Sequence, residues 1–235
     1  MNILDHGRIP VFITSTLLAL ICAPLLPIVS AQAQTPPSPL EVAAYTGLHR
    51  AATNDDAAQI RTLLSQGADP NIVDSAGRTP AHVAVFGSHA LALRALVAGG
   101  GDVNLLDHER YDLVTIAAVA NDLPTLELAL ELGGDTTLIT SIYDGTALIA
   151  AAHLGHSAVV QKLIDAGAPL DHINNLGWTA LIEAVILGDG GPRHIETARA
   201  LVTAGADRTI ADRNGVTPLQ HAQARGYREM IEFLR

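Results

Sequence analysis

The chain has 235 residues, 24 acidic against 14 Lys and Arg, a net charge of −10, 49% hydrophobic and 3% aromatic residues. The apolar fraction excludes a wholly disordered chain, and a single cysteine excludes a disulfide scaffold or a Cys-built metal cluster. The acidic balance speaks against nucleic acid and anionic lipid as ligands. With Phe 3, Tyr 4 and Trp 1, large rings cannot carry the core, which must instead pack small and aliphatic side chains closely.

Residues 11–29, VFITSTLLALICAPLLPIV, form an uncharged apolar stretch that follows Asp5, His6 and Arg8 and precedes Ala31-Gln32-Ala33. That order is the pattern of a secretory signal peptide over 1–33, cleaved after Ala33. The alternative is a retained membrane anchor, for which 19 residues carrying Pro24 and Pro27 are barely long enough. Cys22 lies inside the stretch, and Ile21 before it is not the small residue that lipidation requires. The expectation is a periplasmic or secreted chain without cysteine, stabilised by packing alone. QTPPSPL, from Gln34, predicts an extended Pro-rich leader over 34–43.

From about residue 44 onward the chain repeats itself. A short phrase recurs as TGLHRAA from Thr46, TPAHVAV from Thr79, DLVTIAA from Asp112, TALIAAA from Thr146, TALIEAV from Thr179 and TPLQHAQ from Thr217. The starts are 33, 33, 34, 33 and 38 residues apart. A second phrase keeps the same step through Gly67, Gly100, Gly133, Gly167 and Gly205. Five residues into each first phrase stands alanine: Ala51, Ala84, Ala117, Ala151, Ala184 and Ala222. A period of this size is the mark of a solenoid. Thr or Asp ahead of an apolar run caps a helix, and Pro80 and Pro218 fit a first helical turn. Ile60, Leu63 and Leu64, then Leu93, Leu96 and Val97, then Val160, Leu163 and Ile164, give the second helix an apolar face. The glycines end it.

These phrases resemble the ankyrin repeat, G-x-T-P-L-H-x-A-A-x-x-G-H followed by L-L-x-x-G-A, from about Ala44 to Arg235. The wording RYDLVTIAAVAND, YDGTALIAAAHLGH and LGWTALIEAVILGDGG also resembles that of secreted bacterial ankyrin proteins. The resemblance implies an all-α solenoid of about six helix-turn-helix repeats joined by β-hairpin-like turns, with repeats starting near 44, 77, 110, 144, 177 and 215. It implies a monomeric, non-catalytic scaffold that binds another protein, here one of the cell envelope, with no cofactor and no membrane contact once the signal is removed.

Three departures stand out. Arg110 and Asp144 replace the turn glycines Gly77, Gly177 and Gly215, which predicts differently shaped hairpins. The segment 133–144 is one residue longer than its counterparts. Repeat 5 carries about five extra residues within Asp189–His194, between its two helices. The last repeat ends at Arg235 with a short second helix whose Arg225, Arg228, Glu229 and Glu232 suit a polar cap.

Candidate chemistry is sparse. His153 and His156 are spaced like metal ligands, yet His156 and His89 fill the repeat's G-H position and His49 and His82 its T-P-L-H position. His108, His172 and His194 read as surface turn residues. Neither Gly188–Gly191 nor Gly99–Gly101 precedes Lys-Ser/Thr, so no phosphate loop is indicated. Glu183 is the one carboxylate within an apolar phrase, expected on the open face of a first helix. It and the repeat 5 insertion support the rival reading of an enzyme or small-ligand binder; a further rival is a secreted effector acting on a host protein.

Members of the family bind partners through hairpin tips and the first-helix face. Tyr111, Tyr143 and Trp178 fall at turns of consecutive repeats and are the expected anchors, since aromatic residues dominate interface hot spots. Arg78 holds the same edge position, and Phe86, His153 and Glu183 are expected on the neighbouring first-helix face.

Overall fold

The structure, a computed structural model, describes residues 34–235; the signal-like stretch 1–33 lies outside the described residues. The described chain forms thirteen helices and, outside them, one isolated antiparallel bridge, Thr140 to Gly145. Helix α1 spans Pro39–Ala44. The six repeats then follow as helix pairs: α2 (Gly47–Thr53) with α3 (Ala57–Ser65), α4 (Pro80–Phe86) with α5 (Ala90–Ala98), and α6 (Leu113–Val119) with α7 (Leu123–Glu131). After them come α8 (Ala147–Leu154) with α9 (Ser157–Asp165), α10 (Ala180–Ile186) with α11 (Pro192–Thr203), and α12 (Pro218–Arg225) with α13 (Arg228–Leu234).

The first helix of each pair starts where the repeated phrase places its cap. Thr79, Asp112, Thr146, Thr179 and Thr217 each accept a hydrogen bond from the backbone N–H three residues on; Thr46 makes no such bond. The N–H groups of Thr79 and Thr217 add the reciprocal bond, donating to the side chains of His82 and Gln220. The six repeated alanines are all buried, so the two helices of a repeat and those of its neighbour approach closely. The core runs as one continuous cluster from Leu48 to Leu234, built from alanine, leucine, valine and isoleucine with Tyr111 and Met230. In the second helices Ile60, Leu93, Leu96, Val160 and Leu163 are fully enclosed, while Leu64, Val97 and Ile164 are half-buried at the rim.

Neighbouring repeats are stitched by polar contacts that recur with the period. The ring of His89 donates to the Ala52 carbonyl at 2.8 Å and that of His156 to the Ala118 carbonyl at 3.0 Å. The Asn71 side chain accepts from the Asp102 N–H and donates to the Gly100 carbonyl, and Asn104 does the same with Asp135 and Gly133. These bonds tie the helix ends and loops of one repeat to those of the next.

Two expectations change. The leader is irregular only over 34–38; Ser38 then caps α1 in a reciprocal box with Glu41, so the end of the segment 34–43 is helical. Arg110 and Asp144 do not reshape their turns by avoiding the glycine conformation. They adopt it, at φ 64° and 52°, beside 77° at Gly77 and 85° at Gly177. Their side chains pair with each other at 2.7 Å across consecutive hairpins. Only the hairpin 140–145 differs, through its extra residue.

Candidate functional site

Four of the five hairpins between repeats, all but 140–145, are held by one short polar side chain at their start. The Asp74 carboxylate accepts from the Ala76 and Arg78 N–H groups, Asp107 from those of Glu109 and Tyr111, Asn174 from Leu176 and Trp178, and Asp212 from Asn214 and Val216. Adjacent tips are then joined by backbone bonds: His108 N–H to Ala76, Ser141 to Arg110, and Asn175 to Tyr143. The tips thus form a continuous, rigid edge on which the residues between repeats are displayed at fixed spacing.

The anchors expected on that edge divide. Tyr143 and Trp178 are half-buried there, at the tips leading into repeats 4 and 5. Tyr111 is only 9% exposed and belongs to the core cluster. Arg78 is also buried. Its guanidinium pairs with Asp74 at 2.8 Å and with Glu41, and donates to the Thr35 carbonyl at 3.3 Å. Burial alone would raise the Asp74 pKa; the bonds from Tyr45, from the Arg78 and Ala76 N–H groups and from the guanidinium outweigh it and hold the carboxyl at about 2. Burial and the Asp74 carboxylate together push the Tyr45 hydroxyl well above its ordinary value. Arg78 therefore clamps the chain's own leader. Thr35 reaches further, donating through its N–H and hydroxyl to Glu109 on the next hairpin. The polar side chains Arg78 and Glu109 of the edge ahead of repeats 2 and 3 are thus bonded to the leader.

The first-helix face is also less open than expected. Phe86 is half-buried and packs on the core. Glu183 is 3% exposed rather than open to a ligand. One oxygen accepts from the Asn174 amide at 2.9 Å and the other meets His153 Nδ1 at 3.1 Å. In the next repeat His221 bridges to Asp212 at 2.9 Å from the same helical position. Both side chains tie a first helix back to its own hairpin. His153 is the half-exposed member, with 26% of its side chain accessible.

The insertion of repeat 5 is folded onto the stack. It forms the loop 188–191 and lengthens α11 to twelve residues against nine in α9. His194, expected at the surface, is buried. One ring nitrogen meets the His153 carbonyl at 3.0 Å, the inter-repeat contact made by His89 and His156, and the other faces Asp189 at 3.2 Å. The Tyr227 hydroxyl donates to the Gly188 carbonyl at 2.8 Å. His153 and His156 point to different partners, and among the described residues no group of three or more His, Cys, Asp or Glu is arranged to hold a metal ion. Two open depressions, of about 490 and 500 Å3, lie over Ser88–Asp122–Thr125 and over Arg61–Leu91–Arg94. Neither includes Glu183 or the insertion.

What the edge does display is aliphatic. Ile72, Val73, Leu106, Ile142, Ile173 and Leu176 all lie on hairpin segments and are all exposed, Ile142 by 58% and Ile173 by 51%. Val73, Leu106 and Ile173 immediately precede the turn residues Asp74, Asp107 and Asn174. An apolar residue recurring there, next to a polar turn with no core facing it, is a signal present in the sequence.

The family model for ankyrin repeats matches residues 48–138, 114–212 and 148–235. The solved ankyrin repeat domain of Acinetobacter baumannii AYE is 42% identical, with a TM-score of 0.75 over 80% of this chain and 95% of that one. The solved ankyrin repeat protein EF0377 is 30% identical, with a TM-score of 0.74 over 81% and 98%. The ankyrin repeat protein YahD of Escherichia coli K12 is 33% identical over 93 residues, 39% of this chain and 46% of that protein. The chain spans less than half the length of the curated relatives it matches. It belongs to the ankyrin repeat family, whose domains are generally non-catalytic scaffolds for protein–protein interaction.

Proposed function

We propose that this chain is a non-catalytic scaffold of the bacterial cell envelope that binds a partner protein along the hairpin edge of repeats 4 and 5. The observation that carries the reading is the exposed run of Ile142, Ile173 and Leu176 beside the half-buried Tyr143 and Trp178. Apolar side chains on a rigid edge gain by being covered, each by about 1.5–3 kcal/mol when fully buried, and a large ring among them is a usual hot spot. The equivalent edge ahead of repeats 2 and 3 carries Ile72, Val73 and Leu106 but is shared with the leader. The envelope assignment rests on the signal pattern of residues 1–33.

The test is capture from envelope extract by the C-terminally tagged chain after cross-linking. The comparison is a variant carrying Ile142→Ser, Ile173→Ser, Leu176→Ser and Trp178→Ala. The expected outcome is a partner held by the parent and lost, by about 100-fold in affinity, from a variant whose helical circular dichroism is unchanged. Equal capture by both overturns the assigned edge. Fractionation of the same cells should recover the tagged chain from the periplasm; recovery from the medium favours the secreted effector, and recovery in the inner membrane overturns cleavage of the signal.

A further inference from the structure

We propose that the binding edge of repeats 4 and 5 continues onto the first-helix face as a site for a cationic side chain, a lysine or arginine of the partner protein. The site is His153 with Glu183 behind it. The inference rests on the reading of that edge as a partner surface, and it adds the chemistry the partner carries.

The bonds around Glu183 fix the form of the His153 ring. Asn174 Oδ1 already accepts from the Leu176 and Trp178 N–H groups, so the amide NH2 faces Glu183 and donates to one carboxylate oxygen at 2.9 Å. The other oxygen lies 3.1 Å from His153 Nδ1. A carboxylate only accepts, so Nδ1 carries the hydrogen and Nε2 of the neutral ring keeps a lone pair. Nε2 has no hydrogen-bond partner among the described residues and is not one of their buried unpaired atoms, so it faces solvent.

Glu183 gives that lone pair its preference. Only 4% of the Glu183 side chain is accessible, and the two groups bonded to it, an amide and a neutral imidazole, carry no charge. The site therefore offers an acceptor atom backed by a buried negative charge that no Lys or Arg offsets. The helices α4, α6, α8 and α10 contain no Lys or Arg, and Glu183 is their one carboxylate. Val119 and Ile186, both half-buried, hold the helix position of His153 in the repeats on either side. A cation on an aliphatic stem fits this setting, with the stem along the apolar side chains and the head at Nε2. An uncharged or acidic side chain does not. The net charge of −10 assists the approach of such a partner.

The test is NMR of the imidazole nitrogens and backbone amides of the full tagged chain at about pH 8, where a histidine ring is neutral. The probes are acetyl-Leu-Lys-Leu-amide and the same peptide with alanine or glutamate at its centre. The free chain should show the Nδ1–H form of His153. The lysine peptide should shift His153 Nε2 and bind at least about tenfold more tightly than the other two. His153→Asn keeps a donor to Glu183 and removes Nε2; Glu183→Gln removes the charge. Each should bring the lysine and alanine peptides to equal affinity with helical circular dichroism unchanged. An Nε2–H form in the free chain, equal affinity for the three peptides, or no shift at His153 overturns the proposal. Peptides that shift the 173–178 amides alike and leave His153 untouched overturn it while supporting the edge; the edge itself fails only if capture survives the Ile142, Ile173, Leu176 and Trp178 substitutions.

Discussion

Asp112 shows how one residue departs from its repeat. It caps α6 where four other repeats use a capping threonine, and it is buried with one carboxylate oxygen lacking any partner. Burial raises its pKa, against the bonds from Thr115. The unfolded carboxyl titrates near about 3.9, so in the window above that value the folded chain holds a proton the unfolded chain has lost. Stability is fully present below the unfolded value and falls as pH rises through the folded one. Asp112→Thr keeps the cap and removes the acid. It should stabilise the chain by about 1–3 kcal/mol at neutral pH and by little at pH near about 3, read from denaturation midpoints at the two pH values. Asp74 has the opposite sign. Its folded value of about 2 lies below the unfolded one, so its contribution is present above about 4 and lost as pH falls toward 2. Asp74→Asn should cost about 3 kcal/mol and flatten that acid limb. Neither behaviour was legible in the sequence, where Asp112 reads simply as a good cap and Arg78 as a partner-binding residue of the hairpin edge. The environment of Arg78 is made by residues outside its own phrase, Glu41 and Thr35, so no local pattern contains it. Glu183 was misplaced for the same reason, its partner His153 belonging to the preceding repeat.

At the scale of elements, the helices were legible almost throughout, because caps, proline, glycine and the apolar face all recur with the period. The hairpins were not. Arg110 and Asp144 take up a left-handed backbone that costs an L-residue about 1–2 kcal/mol, offset in part by an exposed ion pair worth at most about 1 kcal/mol. The double substitution Arg110→Gly with Asp144→Gly should therefore stabilise the chain, by about 1 kcal/mol or more, in a urea titration. The insertion behaves in the reverse way. Gly190 has φ +69°, and a Cβ there would lie 2.5 Å from the Tyr227 ring. Gly190→Ala should cost at least about 1–2 kcal/mol and release the last repeat from the loop, seen as faster amide exchange over 228–234. The sequence located the insertion correctly but not its docking, since Tyr227 lies 39 residues from Gly188.

For the whole molecule, the scarcity of aromatic residues and the period in alanine have one cause. A stack in which every repeat touches only its neighbours needs close approach more than bulk, and Ala151 and Ala184, both 0% exposed, show how little space remains between adjacent repeats. Ala151→Leu should overpack the middle of the stack and cost about 1–3 kcal/mol in chemical denaturation. The same rigidity makes the hairpin edge a surface of fixed geometry, and the aliphatic residues on it have no role in the core. The most direct measurement is amide hydrogen exchange of the purified complex against the free chain. Protection concentrated at 141–145 and 173–178, with the outer second helices unchanged, is the predicted result. Protection confined to the outer faces of α5, α7 and α9, with those hairpins exchanging as in the free chain, would contradict it.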